Sequence, residues 1–166
     1  MNTRIIRAIS IFLLLAVMTA VFCFSAEAAD DSQQTSDDFL YNIITVFYPK
    51  IKTMPQEQID EILDRFSSPI RKLAHFSIYG LMGVFSLLSV VSYVLPKFRK
   101  SVLFAMSICV FYAVTDEIHQ YFVSGRSCEL RDVLIDSSGA LLGVLFTVAL
   151  LSLIFKKRTE KSEKRG

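Results

Sequence analysis

Apolar residues gather into four runs along the chain, at about 5–24, 74–95, 102–122 and 133–155, with charged residues between them. Each run is about 20 residues or longer, the length a helix needs to cross about 30 Å of hydrocarbon. The pattern predicts an all-α, polytopic membrane bundle with four transmembrane helices in a single domain, residues 1–166. Residues 25–71 form the one sizeable stretch outside the runs. It opens acidic and polar (Glu27, Asp30, Asp31, Asp37, Asp38), and then Leu40, Ile43, Ile44 and Phe47 recur at helical spacing until Pro49. A second amphipathic stretch starts near Thr53, with Pro55 in its first turn, where a missing N–H costs nothing. Its apolar face is Ile59, Ile62, Leu63 and Phe66, opposite Glu57, Asp60, Glu61 and Asp64. Short amphipathic helices beside a membrane lie in the interface or cap the bundle; a lid over a site is the sharper alternative.

Charge orients the runs. Arg4 and Arg7, the Pro96–Lys100 turn (PKFRK) and the basic tail 156–166 all fall on one side if every run crosses. The excess of Lys and Arg on cytoplasmic loops then predicts a multi-pass plasma-membrane protein with both termini in the cytoplasm. Residues 25–71 and 123–131 face outside. The first run has two readings. Arg4 and Arg7, an apolar run and Ala26-Glu27-Ala28 match a secretory signal peptide with an A-x-A cleavage site. The run is longer than a usual signal core and long enough to span, which favours an uncleaved helix.

Polar residues interrupt the apolar pattern most sharply between Thr115 and Gly143 (TDEIHQYFVSGRSCELRDVLIDSSGALLG). Asp116 lies roughly 21 Å beyond Val102 at 1.5 Å per residue, in the outer third of the third span. Asp136 lies roughly 6 Å below Asp132, at the outer start of the fourth. His75 stands near the outer start of the second. Three helices therefore bring His75, Asp116, Glu117, Gln120, Asp132 and Asp136 to one level, with Arg126 above them. Asp116 and Gln120 are one turn apart and share a face. Asp132, Asp136, Gly139 and Gly143 follow i, i+4, i+7, i+11, one stripe containing a G-x-x-x-G pair, which predicts a close-packed helix face. His75, Tyr79, Gly83 and Ser86 likewise share a face. Charges at membrane depth are costly and serve either a function or the tying together of two helices.

Composition narrows the chemistry. At 52% hydrophobic residues and a net charge of +2, the chain is too apolar for an ordinary soluble domain. Its basic residues flank spans, so the charge does not point to nucleic acid. Cys23, Cys109 and Cys128 form neither a disulfide framework nor a metal-spaced set. No nucleophile elbow, phosphate-cradling glycine loop or HExxH helix is present. The third span offers one histidine, His119, too few for a zinc helix, so neither a metal nor a cofactor is assigned. A divalent cation among Asp116, Glu117 and Asp136 is the remaining metal option. Carboxylates near a histidine and an arginine could supply general acid and base, or bind a polar headgroup. The residues by themselves thus lead to an outward-facing polar site in a four-helix membrane bundle, without a substrate.

The two polar blocks, RKLAHFSIYGLMG at Arg71–Gly83 and the Thr115–Gly143 stretch, resemble the VanZ family, named for a glycopeptide-resistance accessory protein. Phe22–Ser36 (FCFSAEAADDSQQTS) is similar to the family's aromatic-serine segment, which supports an uncleaved first helix. The resemblance carries over His75, Asp116, Glu117 and Asp136 as candidate catalytic residues. Lys72, Tyr79, Gln120, Arg126 and Asp132 follow as candidate binding residues and Gly139 as a packing residue, to which the G-x-x-x-G spacing adds Gly143. Two positions depart from the family pattern. Ile78 stands where many relatives have a carboxylate, and Ser124 where they usually have proline, which would loosen the turn before Gly125. The resemblance implies a cell-envelope protein whose partners are the bilayer and a lipid, lipid-linked precursor or lipid-tailed glycopeptide, with lowered teicoplanin sensitivity as one effect. A membrane hydrolase or transferase acting on an envelope lipid is the alternative, and a proton-coupled carrier a weaker one.

Overall fold

A computed structural model describes residues 3–93 and 98–163. Five helices follow one another: α1 (Thr3–Ser25), α2 (Ala29–Phe47), α3 (Gln56–Tyr93), α4 (Phe98–Tyr121) and α5 (Leu130–Glu163). A 3-10 turn, Pro49–Thr53, links α2 to α3. Four of the five are long and apolar enough to cross a membrane: α1, α3, α4 and α5. The expected all-α membrane bundle is the observed fold. Residues 94–97 of the basic turn and 164–166 of the basic tail lie outside the described residues.

The outer spanning helices α1 and α4 each turn a stripe inward and leave large apolar residues exposed on the other side. In α1 the buried positions are Ser10, Leu14, Val21 and Ser25, at four- and seven-residue intervals that keep them on one face. Phe12, Leu15 and Phe22 point outward, where lipid rather than water suits them. In α4 the inward stripe is Ser101, Ala105, Cys109 and Ala113, continued by Asp116, Glu117 and Gln120. Its small residues let α4 lie close to α3, and the Ser86 hydroxyl donates to the carbonyl of Ala105 at 3.2 Å. Tyr112 ties α4 to α1 by donating to the carbonyl of Met18 at 2.6 Å.

The central helix is α3, which touches each of the other four, α5 most extensively. Glycines set that closest approach. A Cβ at Gly83 would collide with the backbone of Ala140, one at Gly139 with the backbone of Phe76, and one at Gly143 with the backbone of Gly80. This is the backbone-to-backbone packing a small-residue stripe permits between membrane helices.

The extramembrane stretch differs from its expected form in two ways. The second amphipathic segment is not a separate interfacial helix: it runs without a break into the second span as a single α3 of 38 residues, with Pro69 inside. A proline inside a helix removes one N–H and crowds the carbonyl one turn back, so continuity here needs support from outside the helix. Here the helix is also held laterally, since the Ser67 hydroxyl bonds Asp37 of α2 and Arg71 bonds Gln33 of α2. The first segment, α2, faces the bundle through Ser32, Ser36 and Leu40, while Ile43, Val46 and Phe47 are exposed. Its outward apolar stripe suits a helix lying in the membrane interface.

Candidate functional site

The polar residues converge at the end of the bundle where α1 and α4 stop and α5 begins. The last turns of α4 supply Asp116, Glu117 and Gln120, the first turns of α5 supply Asp132 and Asp136, and α3 passes between them with Lys72, His75 and Tyr79. Ser25, the last residue of α1, completes the ring, and the loop before α5 contributes Arg126 and Glu129.

Its deepest layer is a hydrogen-bond network around Asp116. One carboxylate oxygen, Oδ2, accepts from the hydroxyl of Ser25 at 2.9 Å, from the amide of Gln120 at 3.2 Å and from the hydroxyl of Tyr79 at 3.3 Å. Three helices are thereby joined through one oxygen. Asp116, Glu117, Gln120 and Asp136 are all buried, and Tyr79 is fully so. Buried polar groups are stable only when paired. Glu117 meets that need by accepting the backbone N–H of Glu129 at 2.8 Å. Asp136 does not meet it: Oδ1 is buried with no hydrogen-bond partner among the described residues, and Oδ2 lies 3.9 Å from Nδ1 of His75.

Above this layer the charges pair. Lys72 contacts Asp132 at 2.5 Å and Glu129 at 4.0 Å, bridging α3 to the start of α5. Arg126 clamps the ends of α1 and α4: Nε donates to the carbonyl of Glu27 at 2.9 Å, Nη2 to that of Phe24 at 3.2 Å and Nη1 to Oε1 of Gln120 at 3.2 Å. Its partial burial lowers the guanidinium pKa from its ordinary value, since desolvation penalises the cation. The turn that holds Arg126 is well tied despite Ser124: the Ser124 carbonyl accepts the N–H of Ala29 at 3.1 Å, and the N–H of Arg126 reaches the carbonyl of Val123 at 3.2 Å. Gly125 adopts φ +74°, a left-handed conformation that only glycine takes at no steric cost.

Two cavities meet at the site. The polar one, about 220 Å³, is lined by Lys72, His75, Glu117, Gln120, Arg126, Asp132 and Asp136 together with Arg71 and Glu129. The apolar one, about 290 Å³, lies between α1, α2 and α3 and is lined by Val21, Phe24, Phe39, Ile70, Ala74 and Ile78, with Ser32 and Ser36. Arg71 and His75 line both.

The family model of VanZ/LLP1 matches residues 10–155, from the first span through the fourth. The chain belongs to the VanZ/LLP1 family. No curated protein and no solved structure matches it. Family membership and four membrane-length helices make it a multi-pass membrane protein of the cell envelope.

In this VanZ/LLP1 chain the candidate polar residues of the sequence lie together at one end of the bundle. Lys72, His75, Glu117, Gln120, Arg126, Asp132 and Asp136 line the polar cavity; Tyr79 and Asp116 lie in the bonded layer beside them; Gly139 and Gly143 form the α3–α5 contact. Ile78 faces the apolar cavity. Three residues were missed as parts of the site: Ser25, Glu129 and Arg71. Ser25 had a signal, a serine closing an apolar run, and Glu129 sits one turn before Asp132. Arg71 read only as a charge flanking a span, and nothing in the pattern marked Gln33 as its partner.

Proposed function

We propose that the protein binds an amphiphilic molecule of the outer leaflet, with its polar head in the polar cavity and its hydrocarbon tail in the apolar one. The observation that carries this reading is the pairing of two cavities of opposite character across the shared residues Arg71 and His75. Water or a small ion would need only the first, and a bare hydrocarbon only the second. Nε of Arg71 is buried without a hydrogen-bond partner among the described residues, so it is a ready donor for a phosphate or carboxylate at the junction. The ligand class is therefore an envelope lipid, a lipid-linked precursor or a lipid-tailed glycopeptide such as teicoplanin, whose sequestration would lower sensitivity to it.

The test is native mass spectrometry of the protein released from membranes. Wild type is expected to retain an amphiphile. Ser36→Phe, which fills the apolar cavity, and Arg71→Gln, which removes the donor at the junction, should each reduce the retained amount at least tenfold at normal abundance. Equal retention by all three would sink the reading.

Buried carboxylates beside a histidine in the same cavity support a second reading, in which the bound headgroup is hydrolysed or transferred. Envelope lipids and muropeptides compared with and without the protein separate the two. A consumed lipid and a new product mean turnover, whereas an unchanged inventory with a retained ligand means binding alone.

The basic blocks favour an outward-facing site with both termini in the cytoplasm. Cys128, exposed in the loop before α5, should react with an impermeant maleimide in intact cells of a Cys23→Ser strain. Lys100→Cys in a strain also lacking Cys128 should react only after lysis. The reverse pattern would turn the site to the cytoplasm.

A further inference from the structure

His75, Asp116 and Asp136 reach the same point from α3, α4 and α5, each offering one ligand atom, and these atoms lie within 4.8 Å of one another. Both carboxylates are buried, Asp116 at 4% and Asp136 at 1% exposure. Among the described residues no lysine or arginine forms an ion pair with either carboxylate. Lys72 is engaged by Asp132, and Arg126 by Gln120 and two backbone carbonyls. On Asp116, Oδ2 takes all three hydrogen bonds from Ser25, Gln120 and Tyr79 and so holds the carboxylate in one orientation. On Asp136, Oδ1 is buried with no partner among the described residues, although the residue lines the polar cavity. His75 and Asp136 are 3.9 Å apart, too far for a hydrogen bond yet close enough to share a third atom between them. Two buried carboxylates and an imidazole without a counter-charge call for a cation.

We propose that His75, Asp116 and Asp136 hold one divalent ion of the zinc or manganese kind at the floor of the polar cavity. Metal–ligand bonds of about 2.0–2.2 Å place neighbouring donor atoms about 3–4 Å apart, so small side-chain movements bring this set into range. The imidazole disfavours magnesium and calcium, which take oxygen ligands, and the carboxylates disfavour copper(I), which takes sulfur. Three protein ligands leave a coordination position open towards the cavity for water or for an oxygen of the bound headgroup. The three hydrogen bonds to Asp116 are of the kind that orient metal ligands. No single helix carries the set, so the shortage of histidines in the third span does not bear on it. The site is independent of which amphiphile fills the cavities.

The test uses untagged, full-length protein in detergent, stripped with a chelator and dialysed against zinc or manganese, with bound metal counted by plasma mass spectrometry. Wild type is expected to hold close to one equivalent of one of them and to melt at higher temperature when it is added. Asp136→Asn and His75→Gln should each bind at least tenfold more weakly, with monodisperse elution showing that they fold. Should Asp136→Asn fail to fold, His75→Gln decides. Glu57→Gln, at an exposed acid of α3 outside both cavities, should keep its metal. Absence of stoichiometric metal on wild type, or wild-type affinity in His75→Gln, would overturn the site whether or not the protein retains an amphiphile.

Discussion

Gly143→Ala is expected to prevent the protein from accumulating in membranes, although it adds a single methyl group. That methyl would meet the carbonyl oxygen and carbon of Gly80 and the backbone nitrogen of Val84. Backbone atoms in the middle of a packed helix have no rotamer to change, so α3 and α5 must move apart. Their separation would loosen the most extensive interface of the bundle and the polar layer at its end. Overpacking a core by a methylene costs about 1–3 kcal/mol, and a clash between two backbones belongs at the upper end of that range or above it. Gly80→Ala is the control on the opposite helix. Its Cβ would find only the carbonyl oxygen of Gly139 at 3.5 Å, an ordinary contact, so its melting should stay near that of wild type. Thermal scans of fluorescently tagged variants in detergent measure both. If Gly143→Ala melts with wild type, the close approach of α3 and α5 is not as described.

Asp116 separates site from scaffold through two substitutions. Asp116→Leu should melt far below wild type, because it strips the acceptor shared by Ser25, Tyr79 and Gln120. Each buried donor left unpaired costs about 1–3 kcal/mol. Gln120 can still donate to the Ser25 hydroxyl at 3.3 Å, so the loss falls chiefly on Tyr79 and Ser25 and amounts to roughly 2–6 kcal/mol. Asp116→Asn keeps one oxygen in place for the same three donors and removes only the charge. It should fold and melt close to wild type, because neutralising a buried charge at constant shape need not destabilise, yet ligand retention or turnover should be lost. Full function in Asp116→Asn at normal abundance would mean that the charge serves no site. Wild-type melting in Asp116→Leu would mean that the network braces nothing.

Much of this arrangement is legible in the chain because its causes are local. Run length and flanking Lys and Arg determine the four spans. Helical spacing determines that Asp132, Asp136, Gly139 and Gly143 share a stripe, and a rise of 1.5 Å per residue determines that the acids of α4 and α5 meet His75 at one depth. Other features depended on contacts between distant parts of the chain. The amphipathic segment before the second span continues into α3 through Pro69, because α2 packs beside it and bonds Ser67 and Arg71. The inward face of α2 is formed by Ser32, Ser36 and Leu40, while Ile43, Val46 and Phe47, which share its apolar pattern, are left exposed. Ser25 reaches Asp116 across 91 residues of sequence and Arg126 reaches Phe24 across 102, so the end of the first span is part of the site and not merely its anchor. Cleavage after Ala28 would remove Ser25 and the two carbonyls that Arg126 holds. The apolar cavity, and the meeting of His75 with Asp116 and Asp136, exist only between helices. Periodicity along one helix determines which residues share a face. Only the packing of three helices against one another decides which faces meet, and here it sets two buried carboxylates beside one imidazole.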